Sequence, residues 1–144
     1  QRVGQTLSFF MHTGGHGTEH LRVLLDAGLV DWVGFDVKAP FDDYSLITGR
    51  ADSGNRARRS LQILVESGVP YELRTTVYTP VLDDDRLAVM AHEVGQRGGG
   101  NLVLQRCLDT SSLAADEQTD LESTAALLAG LVGPVAIRDG VSAA

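Results

Sequence analysis

The sequence predicts an α/β protein in which parallel strands alternate with helices. Strand-like and amphipathic helical segments follow one another in the order β-α-β-α-β-α-β-α-β, which is typical of consecutive βαβ units. The strand-like segments also carry one apolar and one polar face, whereas strands of a parallel sheet covered on both faces are apolar throughout. We therefore expect a partial (β/α) barrel, with the apolar rows against the helices and the polar rows inside. Residues 1–144 are predicted to form this single domain.

The first predicted strand covers residues 7–11 and precedes a glycine-rich turn. A helix follows, and Thr18 is its expected N-cap because a threonine hydroxyl can accept a hydrogen bond from a first-turn amide. Gly28 is expected to end this helix, since glycine readily adopts the left-handed conformation of a helix terminus.

Residues 31–40 form the segment around which the remaining elements are organised. Its apolar run is expected to be a buried strand that stops before Pro40, because proline cannot donate to a strand ladder. A short helical turn over residues 41–48 then ends at Gly49. The later elements continue the alternation, with helices over residues 55–67, 83–96 and 113–131 and strands over residues 71–78, 101–105 and 135–138.

Composition excludes several classes of function. The net charge of −7 argues against general binding to nucleic acid or to an anionic membrane, because both need a basic surface. No apolar run approaches the roughly 20 residues of a membrane span, so a cytoplasmic protein is expected. The single cysteine, Cys107, excludes an internal disulfide and a multi-cysteine metal site built from this chain alone. The glycines between His12, His16 and His20 disfavour one helix carrying all three, so no metal site is predicted.

Polar side chains recur on one face of three predicted strands. Asp36 and Lys38 lie on that face at the outgoing end of the second strand, which is the edge where parallel α/β proteins bind ligands. The residues expected to converge there are Asp36, Lys38, Glu72, Arg74, Thr76 and Gln105, with Thr13 and the Gly14-Gly15 turn at the rim. Because burying several charges without a ligand or partners is costly, a ligand site is favoured. The alternative is a structural network, pairing Asp36 with Lys38 or Glu72 with Arg74.

Residues 31–41, together with Tyr44 and residues 47–49, resemble the radical S-adenosylmethionine enzymes. The resemblance is closest to the activating proteins of anaerobic (class III) ribonucleoside-triphosphate reductase, and residues 11–15, 67–77 and 103–106 agree in the same order. It implies a partial (β/α)6 barrel that holds a 4Fe–4S cluster and S-adenosylmethionine. It also implies reductive cleavage of S-adenosylmethionine to a radical, which takes a hydrogen atom from a glycine of the partner reductase.

The resemblance also implies which residues line the S-adenosylmethionine site, namely Thr13, Asp36, Lys38, Arg74 and Gln105. These residue types suit the ligand. A carboxylate can bind ribose hydroxyls and the amino group, Lys38 and Arg74 can bind the methionyl carboxylate, and Gln105 can meet the adenine edge.

The sequence departs from the family's pattern at the cluster. In the family a Cys-x-x-x-Cys-x-x-Cys loop after the first barrel strand holds the cluster, and the 144 residues contain no such loop. The resemblance begins near the family's third strand, so we expect a C-terminal portion that by itself neither binds the cluster nor makes radicals. His12 stands where related activases have an acidic residue.

Two other classes of function remain open. One is a different α/β-barrel ligand-binding domain, such as a phosphate-binding domain that uses the Gly14-Gly15 turn. The other is a non-catalytic remnant or interaction domain, which the missing cluster loop favours. An incomplete barrel would expose an unpaired strand edge, through which such a chain is expected to self-associate.

Overall fold

A computed structural model describes residues 10–13, 17–77, 82–107 and 120–141. Within these ranges the chain forms one parallel sheet of five strands, whose order in the sheet, β1-β2-β3-β4-β5, follows their order in the chain. The strands are β1 Phe10–Thr13, β2 Trp32–Asp36, β3 Tyr71–Val77, β4 Leu102–Cys107 and β5 Val135–Val141. The α/β class and the parallel pairing predicted from the sequence are thus confirmed.

Helical segments occupy the connections between the strands. They are α1 Thr18–Asp26, a 3-10 turn Phe41–Asp43, α2 Tyr44–Thr48, α3 Ser53–Ser67, α4 Asp84–Gln96 and α5 Leu121–Val132. Gly49 and Gly68 end α2 and α3 at φ of 71° and 76°, a region that residues with a side chain adopt at a steric cost. Aspartates cap α4 and α5, since Asp83 and Asp120 accept backbone hydrogen bonds from Arg86 and Ser123.

The hydrophobic core lies on one face of the sheet. Alternate strand residues point into it, and the largest fully buried ones are Phe35, Leu73, Leu102 and Leu104. They join one cluster with residues of three helices, among them Leu61 and Leu64 of α3, Met90 of α4 and Leu128 of α5. The helices therefore cover the apolar rows of the strands. The opposite face of the sheet carries the polar rows that the sequence predicts.

Thr18 does not cap α1, contrary to the prediction. Gly17 is the N-cap, and Thr18 is the first helical residue and is buried. Its hydroxyl lies 2.8 Å from the Ser60 hydroxyl and donates to the carbonyl oxygen of Arg56 at 3.2 Å. The threonine side chain therefore joins α1 to α3, because a tertiary partner competes successfully with the local capping bond.

The remaining boundaries differ modestly from those predicted. Helix α3 starts two residues before the predicted position 55, and β5 continues three residues beyond the predicted end at 138. Parts of three predicted elements, residues 7–9, 78 and 113–119, lie outside the described residues. No helix in the described ranges has both the length and the apolar character needed to cross a membrane.

Candidate ligand site at the carboxyl ends of the strands

An ion pair joins the second and third strands at the centre of the polar face. Asp36, the last residue of β2, stands opposite Arg74 of β3 in the parallel register. The Nη2 atom of Arg74 lies 3.4 Å from Oδ1 of Asp36, with 16% of the Arg74 side chain and 47% of the Asp36 side chain exposed. The backbone fixes this arrangement, since the Val37 amide donates to the Arg74 carbonyl at 2.8 Å. Asp36 thus pairs across the strands with Arg74, and not with Lys38 as in the alternative structural network.

A second ion pair spans three strands. Arg138 of β5 donates from Nη1 and Nη2 to the two carboxylate oxygens of Glu72 on β3, at 2.7 and 3.1 Å. These hydrogen bonds raise the pKa of the Arg138 guanidinium above its ordinary value. In the register Arg138 stands opposite Gln105 of β4, so the pair crosses β4. The sequence prediction missed Arg138, although the alternation of β5 places it on the same face as Gln105.

Gln105 occupies the polar face of the fourth strand. It stands opposite Thr76 of β3, and the Thr76 hydroxyl donates to its Oε1 atom at 3.3 Å. Gln105 is only 8% exposed, so its amide is held in place at the floor of the site. Asp36, Arg74 and Gln105 thus lie on three consecutive strands, as predicted.

Tyr44 holds the end of β2 in position. Its buried hydroxyl accepts a hydrogen bond from the Lys38 amide at 2.9 Å and donates to the Asp36 carbonyl at 3.4 Å. Burial raises the pKa of this phenol well above its ordinary value. Tyr44 is therefore a positioning residue for the two candidate ligand-binding residues, a role that sequence reasoning did not assign to it.

Lys38 lies at the border between the polar face and a neighbouring cleft. Two residues beyond β2, it lines a cleft of about 570 Å³ together with residues of the α2–α3 connection and the start of α3. The polar residues of this cleft are Lys38, Thr48, Arg50, Asp52, Ser53 and Arg56. The structure therefore brings Lys38 close to two arginines that the sequence prediction did not include.

Thr13 is the last residue of β1 and is half-buried. It stands opposite Phe35 in the register, so it belongs to the row of strand residues that faces the helices. Its predicted place at the rim of the site therefore depends on the turn that follows β1, and residues 14–16 lie outside the described ranges.

A metal or cluster site needs several His, Cys, Asp or Glu side chains close together. Over the part of the chain that the structure describes, no three His, Cys, Asp or Glu side chains are grouped so that they could hold a metal ion. The 144 residues include one cysteine, Cys107, whereas a 4Fe–4S cluster of this kind needs three thiolates from the protein. The residues of this chain therefore do not fit the cluster.

Comparison with protein-family models found no match for this sequence, and comparison with curated proteins found no significant match.

Proposed function

We propose that this chain is the S-adenosylmethionine-binding portion of a radical S-adenosylmethionine activating protein that acts with an anaerobic ribonucleoside-triphosphate reductase. One observation carries the proposal. Asp36, Arg74 and Gln105, which the resemblance assigns to S-adenosylmethionine, occupy three consecutive parallel strands on one face of the sheet. Lys38 lies two residues beyond the end of β2. Thr13, at the end of β1, is included in the proposed set through the resemblance alone, because the register places it in the row that faces the helices.

The arrangement of the sheet supports a partial (β/α) barrel as the finer description of the fold. Strand order follows chain order, and the helices cover the apolar rows, as in successive βα units of a barrel. Glu72 and Arg138 lie on strands separated by β4, hence about 9.5 Å apart across the sheet. Their side chains nevertheless meet. This contact favours a sheet that is concave on its polar face.

The Asp36–Arg74 pair suits the zwitterionic end of S-adenosylmethionine. The two side chains approach to 3.4 Å, and about half of the Asp36 side chain is open to solvent. An ammonium group placed beside Asp36 and a carboxylate beside Arg74 would give each side chain a charge-assisted hydrogen bond. Lys38 adds a second cation for the carboxylate, and the Gln105 amide offers both a donor and an acceptor to the adenine edge.

The chemistry assigned to these residues is binding and orientation. S-adenosylmethionine, when bound, supplies the 5′-deoxyadenosyl group that reductive cleavage would release. Because Cys107 is the only cysteine, no electron-transfer step is assigned to this chain. In an active enzyme, cysteines outside these 144 residues would have to supply the thiolates that hold the cluster.

The composition of the chain also favours a second candidate, a non-catalytic domain that binds a ligand or another copy of itself. The observation behind it is the single cysteine. Self-association through a strand edge would make the apparent mass rise with protein concentration in sedimentation or size-exclusion measurements. A constant monomer mass would contradict that form of the second candidate.

Calorimetric titration with S-adenosylmethionine tests the main proposal. Removing either charged group of the central pair, in Asp36→Ala or Arg74→Ala, is expected to weaken binding by about tenfold or more, because each loses a charge-assisted hydrogen bond. Arg22→Ala is the matched control. Arg22 is an exposed residue of α1, and its guanidinium lies 3.8 Å from the Glu19 carboxylate. Circular dichroism confirms that each variant is folded. Absence of binding to the folded wild-type chain, or unchanged binding in both variants, would contradict the proposal.

A further inference from the structure

The cleft beside Lys38 has an unusual charge for this protein. It contains three cationic side chains, Lys38, Arg50 and Arg56, and one carboxylate, Asp52. The chain as a whole has 19 acidic and 12 basic residues, so a cluster of cations runs against its overall balance. Lys38 is moreover the only lysine in the sequence. Such a concentration of positive charge in a concave site raises the local concentration of anions.

These cations are weakly neutralised by the protein itself. Across the described ranges, neither Lys38 nor Arg50 has a carboxylate oxygen within 4.0 Å, and Arg56 has only Asp52, at 3.4 Å. The Arg56 side chain is 49% exposed and that of Asp52 is 66% exposed, and exposed pairs of this kind contribute little energy. An anion that binds in the cleft therefore competes with few carboxylates of the protein.

The segment that carries Arg50 is held in one conformation. The Arg50 amide donates to the Thr48 hydroxyl at 3.2 Å, and the Arg50 carbonyl accepts from the Ser53 hydroxyl at 2.8 Å. The two hydroxyls also contact each other at 2.6 Å. Gly49 turns the chain just before Arg50, with a φ of 71°. The backbone of Arg50 is thus fixed on both sides, which lowers the entropy lost when its side chain binds a ligand.

The cleft also lies at the start of a long helix. Helix α3 has 15 residues, and the side chain of its N-cap, Asp52, makes no capping hydrogen bond. Asp52 instead accepts hydrogen bonds from Asn55 and Arg56. The positive end of the helix dipole lies at this end of α3 and favours an anion, although the Asp52 carboxylate partly offsets it.

We infer that this cleft binds the phosphate group of a small molecule. A phosphate accepts hydrogen bonds over its whole tetrahedral surface. It can therefore engage two arginines and a lysine from three directions, while a carboxylate has only one plane of acceptors. The volume of about 570 Å³ exceeds what one phosphate ion fills and falls within the range of small-molecule sites. This site is distinct from the proposed S-adenosylmethionine site and shares only Lys38 with it.

Titration with inorganic phosphate and with adenosine monophosphate tests the inference and separates a free ion from a phosphate ester. Potassium chloride at matched ionic strength corrects for screening. Arg50→Gln and Arg56→Gln are each expected to weaken phosphate binding by about tenfold, and Arg22→Gln is the control. Because Arg50 and Arg56 lie outside the proposed S-adenosylmethionine site, both substitutions should leave S-adenosylmethionine binding unchanged, so the two proposals fail independently. No binding of either phosphate compound, or equal binding in all variants, would overturn the inference.

The only lysine provides a second readout that does not depend on variants. Pyridoxal phosphate forms an imine with a lysine amine, releasing water, and borohydride reduction makes the link permanent. Inorganic phosphate should slow the labelling of Lys38 by pyridoxal phosphate several-fold, and potassium chloride at the same ionic strength should slow it less. Peptide mapping by mass spectrometry separates Lys38 from the terminal amine. Labelling of Lys38 that phosphate slows no more than potassium chloride does would contradict the site.

Discussion

Arg138 of β5 donates two hydrogen bonds to Glu72 of β3 across the intervening strand, at 2.7 and 3.1 Å. The contact ties the last strand of the sheet to its middle. The pair therefore restrains the β5 side of the polar face, although it does not belong to the proposed ligand-binding set.

This pair should make a measurable contribution to stability. A double-mutant cycle with Glu72→Gln and Arg138→Gln is expected to give a coupling energy of about 0.5–1 kcal/mol, the upper range for partly exposed pairs, because the contact is bidentate. Urea unfolding at low and high salt measures it, and high salt should reduce it. The control cycle is Glu19 with Arg22, a 3.8 Å pair with both side chains more than half exposed. A similar coupling in the two cycles would show that bidentate geometry gives no advantage here.

Tyr44→Phe should destabilise the end of β2. The substitution leaves the Lys38 amide and the Asp36 carbonyl without their shared partner, which costs about 1–2 kcal/mol. Thermal or urea unfolding measures the loss. S-adenosylmethionine binding should weaken in parallel, because Tyr44 positions two of the proposed binding residues. Full wild-type stability in this variant would exclude the positioning role.

The buried phenol of Tyr44 predicts that the stability of the protein falls at alkaline pH. Burial raises the pKa of the Tyr44 phenol in the folded state, whereas in the unfolded chain it ionises near the ordinary value of about 10. The unfolded chain therefore loses this proton first, and stability falls as pH rises above about 10. The decline should be shallower in Tyr44→Phe. Curves of the same slope for the two proteins would argue against a buried neutral phenol.

Replacing two helical glycines by alanine should change the stability of the protein in opposite directions. A methyl group at Gly54 in α3 would overlap the backbone carbonyl oxygen of Phe41, whereas one at Gly130 in α5 meets no atom within 4 Å. Gly54→Ala is thus expected to cost about 1–3 kcal/mol through overpacking. Gly130→Ala should instead gain about 0.5–1 kcal/mol from helix propensity. Urea unfolding of both variants provides the comparison, and stabilisation by Gly54→Ala would contradict the close packing of α3 on the 3-10 turn.

The sequence was sufficient for the order of elements and for the polar face of the sheet. Apolar runs and capping residues act locally, so the start of β2 and the α2 turn ending at Gly49 could be predicted closely, although β2 ends at Asp36 rather than just before Pro40. Pairing partners could not be predicted in the same way. Asp36 meets Arg74 only because the register of β2 and β3 places them side by side, and register is not a local property.

The same limit explains the two largest gaps in the predicted site. Arg138 reaches Glu72 because β3 and β5 both pair with β4, although 66 positions separate the two residues in the chain. The cleft around Lys38 depends on how the α2–α3 connection folds back, which places Arg50 and Arg56 beside a residue of another segment. Both features arise from tertiary packing, which the alternation of apolar residues and the spacing of motifs along the sequence do not reveal.

Site-resolved binding by NMR tests the central claim most directly. The labelled chain is titrated with S-adenosylmethionine, and shifts of backbone amides and of the Gln105 side-chain amide are followed. The proposal predicts the largest shifts at Asp36, Arg74 and Gln105, on the three adjacent strands of the polar face. It also predicts that Arg74→Ala reduces them. No shifts in the folded chain, or shifts confined to the cleft around Arg50 and Arg56, would contradict it.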